Sequence, residues 1–181
     1  MKHAVFFRNL NLGRANCPDK AQLEAAFLAA GADTAASFLT NGTLVFSVRS
    51  NTAARKVLAL ACRLLQAECG LKEPAYVRQV DYLVGLVASH PFKSVAPGSV
   101  YACCVSFLPA KYAEPPAWPR ASARGDVEIL GVNGTEVFSV SRQIAKSPGS
   151  PNAFLEKLLG SPVTTRNWNT VVRLVGKHDA P

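Results

Sequence analysis

The stretch S-F-L-T-N-G-T-L-V-F-S-V, Ser37 to Val48, holds a turn and an alternation from which the fold is read. Asn41-Gly42 is a turn dipeptide, because both residues tolerate positive φ. After it Leu44, Phe46 and Val48 fall on one face of an extended chain, and Thr43, Val45 and Ser47 on the other. Ser37 to Leu39 supplies a short strand before the turn.

Working outward, Ala4 to Phe7 is an apolar run of strand length, followed by a loop over Asn9 to Asn16. Pro18 suits the first position of a helix, along which Leu23, Phe27 and Ala30 recur until Gly31. On the other side, Asn51 or Thr52 caps a second helix. Its apolar residues Val57, Ala61, Leu64 and Leu65 share a face, and Gly70 closes it. Ala75 to Val80 reads as a further strand. The first eighty or so residues thus follow the order β-α-β-β-α-β of a ferredoxin-like unit.

The second half reuses similar pieces. Asp81 caps a short helix through Ala88, and Pro91 follows. Val100 to Leu108 is rich in strand formers. Pro109 to Arg124 contains four prolines and reads as an irregular connection. Val127 to Ser141 reads as a hairpin about a type I′ turn at Asn133-Gly134, with Val127 opposite Val140 and Ile129 opposite Phe138. Ser150-Pro151 caps and starts a helix with Phe154, Leu155, Leu158 and Leu159 on its apolar face, ending at Gly160. A last helix is expected from Thr165 through Trp168, Val171, Val172 and Val175 to Gly176. The expected fold is α+β: a tandem of two ferredoxin-like or α-β sandwich units packed together, over residues 1–85 and 86–181.

Composition bounds the function. A hydrophobic content of 49% with 18% charged residues is enough to build a core and argues against disorder. The net charge of +8 favours partners that carry phosphate or other anions. Ala4 to Phe7 is too short for the apolar region of a signal peptide, and the longer apolar runs are interrupted by Arg or Gln. The expectation is a cytoplasmic protein without membrane contact. The five cysteines, Cys17, Cys62, Cys69, Cys103 and Cys104, form no CxxC pair, and His3, His90 and His178 are far apart in sequence. Neither a disulfide framework nor a metal site is expected, and no cofactor.

Three stretches, R-N-L-N-L-G-R (Arg8–Arg14), N-G-T-L-V-F (Asn41–Phe46) and S-P-V-T-T-R-N-W-N-T-V-V-R-L (Ser161–Leu174), together with Val77 to Phe92, resemble a bacterial family catalogued as domain of unknown function 1697. In the first loop the family carries R-G-I-N-V-G-G. Arg8, Asn11 and Gly13 match, while Asn9 and Arg14 stand in place of glycines. In the second it carries S-G-N-V-V-F, matched by Gly42, Val45 and Phe46. The resemblance implies tandem ferredoxin-like units and brings no established activity with it.

Three segments are candidate binding sites. Arg8, Asn11, Gly13 and Arg14 lie in a strand-to-helix loop, where backbone N–H groups and two guanidinium groups can hold an anion. The alternative is a plain connection in which asparagine and glycine serve the backbone. Arg142, Lys146 and Ser147 precede the helix capped by Ser150, a second phosphate cradle or else a solvated loop. Arg166 and Asn167 stand beside Trp168, which can stack on a ring, or else anchors the core. The carboxylates are scattered, and Cys17 has no sequence-adjacent base to make it a nucleophile.

The leading expectation is a non-enzymatic binder of a phosphate-bearing small molecule or of nucleic acid. Val5 to Leu10 resembles the first-strand signature of an RNA-recognition motif, but Thr43 and Val45, at the third-strand stacking positions, are not aromatic. The other expectations are a small-molecule enzyme, with the first loop and Arg142–Lys146 facing one cleft, and a homodimer formed through an exposed sheet face that includes Phe6 and Val45.

Overall fold

Alternation in Thr43 to Ser47 becomes the central strand of a four-stranded sheet in the computed structural model, which describes residues 1–112, 120–144 and 146–178. The described residues divide into two compact units, Met1–Leu83 with His178, and Val84–Lys177.

The first unit runs β1 (Lys2–Phe7), α1 (Lys20–Ala29), β2 (Thr34–Leu39), β3 (Thr43–Ser47), α2 (Asn51–Cys69) and β4 (Ala75–Gln79), after which α3 (Val80–Ala88) follows directly. Its sheet has the order β2-β3-β1-β4 with every pair antiparallel, the ferredoxin-like arrangement. Val5 and Phe7 of β1 and Leu44 and Phe46 of β3 meet Leu23 and Phe27 of α1 and Val57, Ala61 and Leu65 of α2. Phe27 is the centre of this core, with ring centroids 5.1 Å from Phe46 and 6.3 Å from Phe7. Burying one such ring contributes roughly 1.5–3 kcal/mol.

Three helix starts differ from the sequence reading, one of them α3, which begins at Val80 with Asp81 inside its first turn. Pro18 lies outside α1, because Asp19 is the cap: its carboxylate accepts the Gln22 N–H, and the Gln22 side chain accepts the Asp19 N–H in return. Ser50, not Asn51 or Thr52, caps α2 by accepting the Ala53 N–H. The sheet face expected to be open is closed: Phe6 is fully buried and Val45 is 6% exposed, so neither offers a dimer surface. Thr43, at a stacking position of the RNA-recognition comparison, is buried too.

The second unit contains β5 (Ala102–Phe107), a single 3-10 turn (Ala110–Tyr112), β6 (Val127–Asn133), β7 (Glu136–Ser141), α4 (Pro151–Leu159), β8 (Thr164–Asn167) and α5 (Trp168–His178). Its order β6-β7-β5-β8 repeats that of the first unit strand for strand, again all antiparallel. The structure is thus an α+β fold with two four-stranded antiparallel sheets. Leu108, Val137, Leu155 and Val163 form a core here, joined by Tyr112, Ile129 and Leu159. Part of the expected connection over Pro109 to Arg124, residues 113–119, lies outside the described residues.

The hairpin and the last helix are corrected. Asn133 pairs with Glu136, so the turn residues are Gly134 and Thr135. Gly134 has φ +58 and Thr135 is not in the left-handed region, so glycine occupies the first turn position and the type I′ reading fails. Gly131 then faces Phe138, and an irregularity at Leu130 resets the register so that Val127 faces Ser141 and Ile129 faces Ser139. Thr165 to Asn167 are strand rather than helix. The β-branched Thr164 and Thr165 pair with β5, and Thr165 Oγ1 lies 2.7 Å from Ser106 Oγ. The helical periodicity starts only at Trp168 and continues through Gly176 to His178.

Candidate functional site

In and beside the first loop four backbone amides are already engaged. Leu12 N–H donates to Thr40 O, Gly13 N–H to Pro18 O, Arg14 N–H to Asn11 O and Cys17 N–H to Arg14 O. Gly13 has φ +79, and Asn9, which replaces a family glycine, has φ +48, a conformation asparagine tolerates. Arg8 is 2.6 Å from Glu73, whereas Asn11 and Arg14 are exposed. The start of α1 carries the Asp19 carboxylate, which occupies the place an anion would take. Cys17 stands two residues before that cap and packs against the core. The loop is therefore braced by its own hydrogen bonds. Phe7 N–H, just before the first family stretch, also donates to Gly42 O in the second.

The second segment is likewise organised around local partners. Arg142 Nη2 is 2.7 Å from Glu128 Oε2, and its backbone N–H donates to Asp126 O. Lys146 and Ser147 are exposed. In the third segment Arg166 is 7% exposed, with Nη1 donating to Thr164 Oγ1 and Thr165 O. Burial pushes its guanidinium down to about 10, so it stays charged at neutral pH. Asn167 accepts the Asn169 N–H. Trp168 is half-buried against Phe92 and Phe138, at 5.4 and 5.7 Å between centroids, so its ring is committed to an aromatic cluster. Arg166 belongs to β8 and the Arg142–Glu128 pair reaches β6, and these strands form opposite edges of the sheet. The structure does not gather these two segments.

Two hollows take their place. In the first unit, a hollow of about 560 Å³ is walled by Leu12, Phe38 and Leu39, with Gly13, Ser37 and Thr40, and with Asp19 and Lys20 at its margin. Its charges cancel, and Asp19 is engaged as a cap. In the second unit, a hollow of about 700 Å³ is lined by Ala121, Ser122, Ala123, Arg124 and Asp126 from the segment before β6, and by Phe154, Lys157 and Leu158 from α4. Two cations and one carboxylate leave it net positive. Its volume is in the range of ordinary small-molecule sites, roughly 300–1,000 Å³.

The sequence reading missed this second hollow. It placed Phe154, Leu155, Leu158 and Leu159 on one apolar face, but the face divides. Leu155 and Leu159 enter the core, while Phe154 and Leu158, one turn apart, wall the hollow. Arg124 is the last residue of the connection read as irregular, Gly125 and Asp126 fall between it and the expected hairpin, and Asp126 is 8% exposed. A buried carboxylate that lines a hollow with Arg124 and the sequence-distant Lys157 has no local sequence pattern to announce it. Of the nine predicted site residues, Gly13 alone lines either hollow.

The family model described as Protein of unknown function (DUF1697) matches residues 1–138. The chain belongs to this family. The match includes the first loop, Arg124 and Asp126, and ends within β7, before Phe154, Lys157 and the T-T-R-N-W-N-T segment. The solved structure of a conserved bacterial protein from Streptococcus pneumoniae superposes with a TM-score of 0.66 and 15% identity, covering 97% of each chain. At that identity it shows the shared fold. No curated protein matches the sequence. Among the described residues no helix is long and apolar enough to cross a membrane, and no three His, Cys, Asp or Glu side chains gather as a metal site.

Proposed function

We propose that this family member binds a phosphate-bearing small molecule, without transforming it, in the hollow between the segment Ala121–Asp126 and α4. The observation that carries the reading is that Arg124 and Lys157 line one concave surface together with the apolar Ala121, Ala123, Phe154 and Leu158. Arg124 lies 3.4 Å from Asp126, a loose pair that leaves much of its donor fork available, and its side chain is 62% exposed. Phe154 and Leu158 offer apolar contact to the body of a ligand, and the cations offer charge-assisted hydrogen bonds to its anionic end. No histidine or cysteine lines the hollow, and Ser122 is held by Asp126 and by the Val127 N–H, which supports binding rather than nucleophilic chemistry.

Calorimetric titration with propyl phosphate at about 50 and 200 mM salt tests this. Binding is expected at the lower salt, weakened at the higher. The double variant Arg124→Gln, Lys157→Gln is expected to bind about tenfold or more weakly, the loss of one or two charge-assisted bonds. Unchanged affinity in that variant, or no binding at low salt, removes the reading. If instead a single-stranded oligonucleotide binds both proteins equally, a dispersed basic surface replaces the hollow as the binding feature.

A further inference from the structure

The carboxylate inside this cationic hollow is unexpected in a site for a simple anion. Asp126 repels phosphate, yet it is buried and lines the same space as Arg124 and Lys157. Its orientation is fixed from several sides. Ser122 Oγ donates to Asp126 Oδ1 at 2.6 Å and accepts the Val127 N–H at 3.1 Å, so the hydroxyl has no proton left for a ligand. Arg124 Nε lies 3.4 Å from Oδ2. The Asp126 carbonyl accepts the Arg142 N–H at 2.8 Å, which holds the backbone in place. A carboxylate has about four acceptor positions, and Ser122 and Arg124 approach two of them.

We infer that Asp126 accepts a hydrogen bond from a hydroxyl group of the ligand, so that the hollow takes a sugar phosphate, free or as part of a nucleotide. This rests on the proposed binding of a phosphate-bearing molecule. The cations decide between the two kinds of donor a ligand can present. An ammonium would approach Asp126 beside the positive Arg124 and Lys157, whereas a neutral hydroxyl meets no such repulsion. The apolar walls suit the C–H face of a sugar ring or the base attached to it. Asp126 then selects among anions: Arg124 and Lys157 hold the phosphate, and Asp126 distinguishes a hydroxylated body from an alkyl one. A site built to pair with a hydroxyl rejects an analogue lacking it, because its own buried polar group is left without a partner.

The test compares ribose 5-phosphate with propyl phosphate, which carry the same anionic group, on the wild-type chain and on Asp126→Asn. Wild type is expected to prefer ribose 5-phosphate by about tenfold. Asp126→Asn, of equal shape and without the negative charge, is expected to bind propyl phosphate at least as well as wild type while losing most of the preference. That pattern differs from a folding defect, which weakens both ligands. Equal affinities in wild type, or a preference that survives in Asp126→Asn, overturn the role of Asp126 while phosphate binding stands. Failure of both ligands to bind wild type removes the phosphate reading and this inference with it.

Discussion

Gly42 lies so close to Leu10 that a β-carbon added to it would be 2.7 Å from the Leu10 β-carbon, and 3.0 Å from that of Phe7. The glycine also has φ +70. Gly42→Ala therefore combines left-handed strain of about 1–2 kcal/mol with crowding of about 1–3 kcal/mol. Gly13, at φ +79, has no atom within 4 Å of its would-be β-carbon. Gly13→Ala is expected to lose only the strain, about 1 kcal/mol. Urea unfolding of the two variants checks the ranking, and equal losses would contradict it.

This contrast explains part of what could be read in advance. The Asn41-Gly42 turn and the alternation after it identify the β2–β3 hairpin because those two strands are neighbours in sequence, whereas β1 pairs with the more distant β3 and β4. The same dipeptide at Asn133-Gly134 misled by one residue. Glycine can stand second in a type I′ turn or first in a type II′ turn, and only the pairing of Asn133 with Glu136 decides. Four-residue β8 was hidden beneath the helical spacing of Trp168, Val171, Val172 and Val175. The candidate hollow was least legible, since Arg124 and Lys157 are brought together by tertiary packing.

Arg166→Lys is expected to destabilise by about 1–3 kcal/mol at neutral pH, because a compact ammonium replaces a planar fork bonded to Thr164 and Thr165. A buried lysine titrates below its ordinary value of about 10.4. The folded variant then binds fewer protons than the unfolded chain as pH rises toward that value, and its stability increases relative to wild type. For Arg166 itself the corresponding window is higher, opening only at about 10. Urea unfolding at pH 7 and about 9.5 should show the variant's deficit shrinking; a constant deficit would mean that buried charge is not its cause.

Burial raises the thiols of Cys62 and Cys104 from 9.0 to about 11, with Cys103 adding to the effect on Cys104. Both are protonated at pH 8 and are expected to resist iodoacetamide until denaturant is added, as followed by intact mass. The raised folded values also mean that their stabilising contribution is complete below pH 9 and declines as pH rises toward about 11. Rapid labelling of the partly buried Cys62 or the buried Cys104 in the native chain would show that its surroundings do not protect it.

Gly149 connects the stability of the second unit to its hollow. A β-carbon there would overlap the carbonyl oxygen of Asp126 and lie 2.9 Å from its β-carbon. Neither contact can be relieved by rotating a flexible side chain, so Gly149→Ala must displace backbone. The Arg142 N–H to Asp126 O bond and the Ser141 Oγ to Gly149 O bond, 2.8 and 2.6 Å, are the contacts that hold this approach. The expected loss is about 1–3 kcal/mol in urea unfolding. Because Asp126 shifts, the preference of the folded variant for ribose 5-phosphate over propyl phosphate should fall as well. Gly160→Ala is the comparison: it has φ +59 and open space around it, so it should lose about 1 kcal/mol through strain and keep the preference. A Gly149→Ala protein that is destabilised yet retains the full preference would show that the backbone contact does not position Asp126 in the hollow.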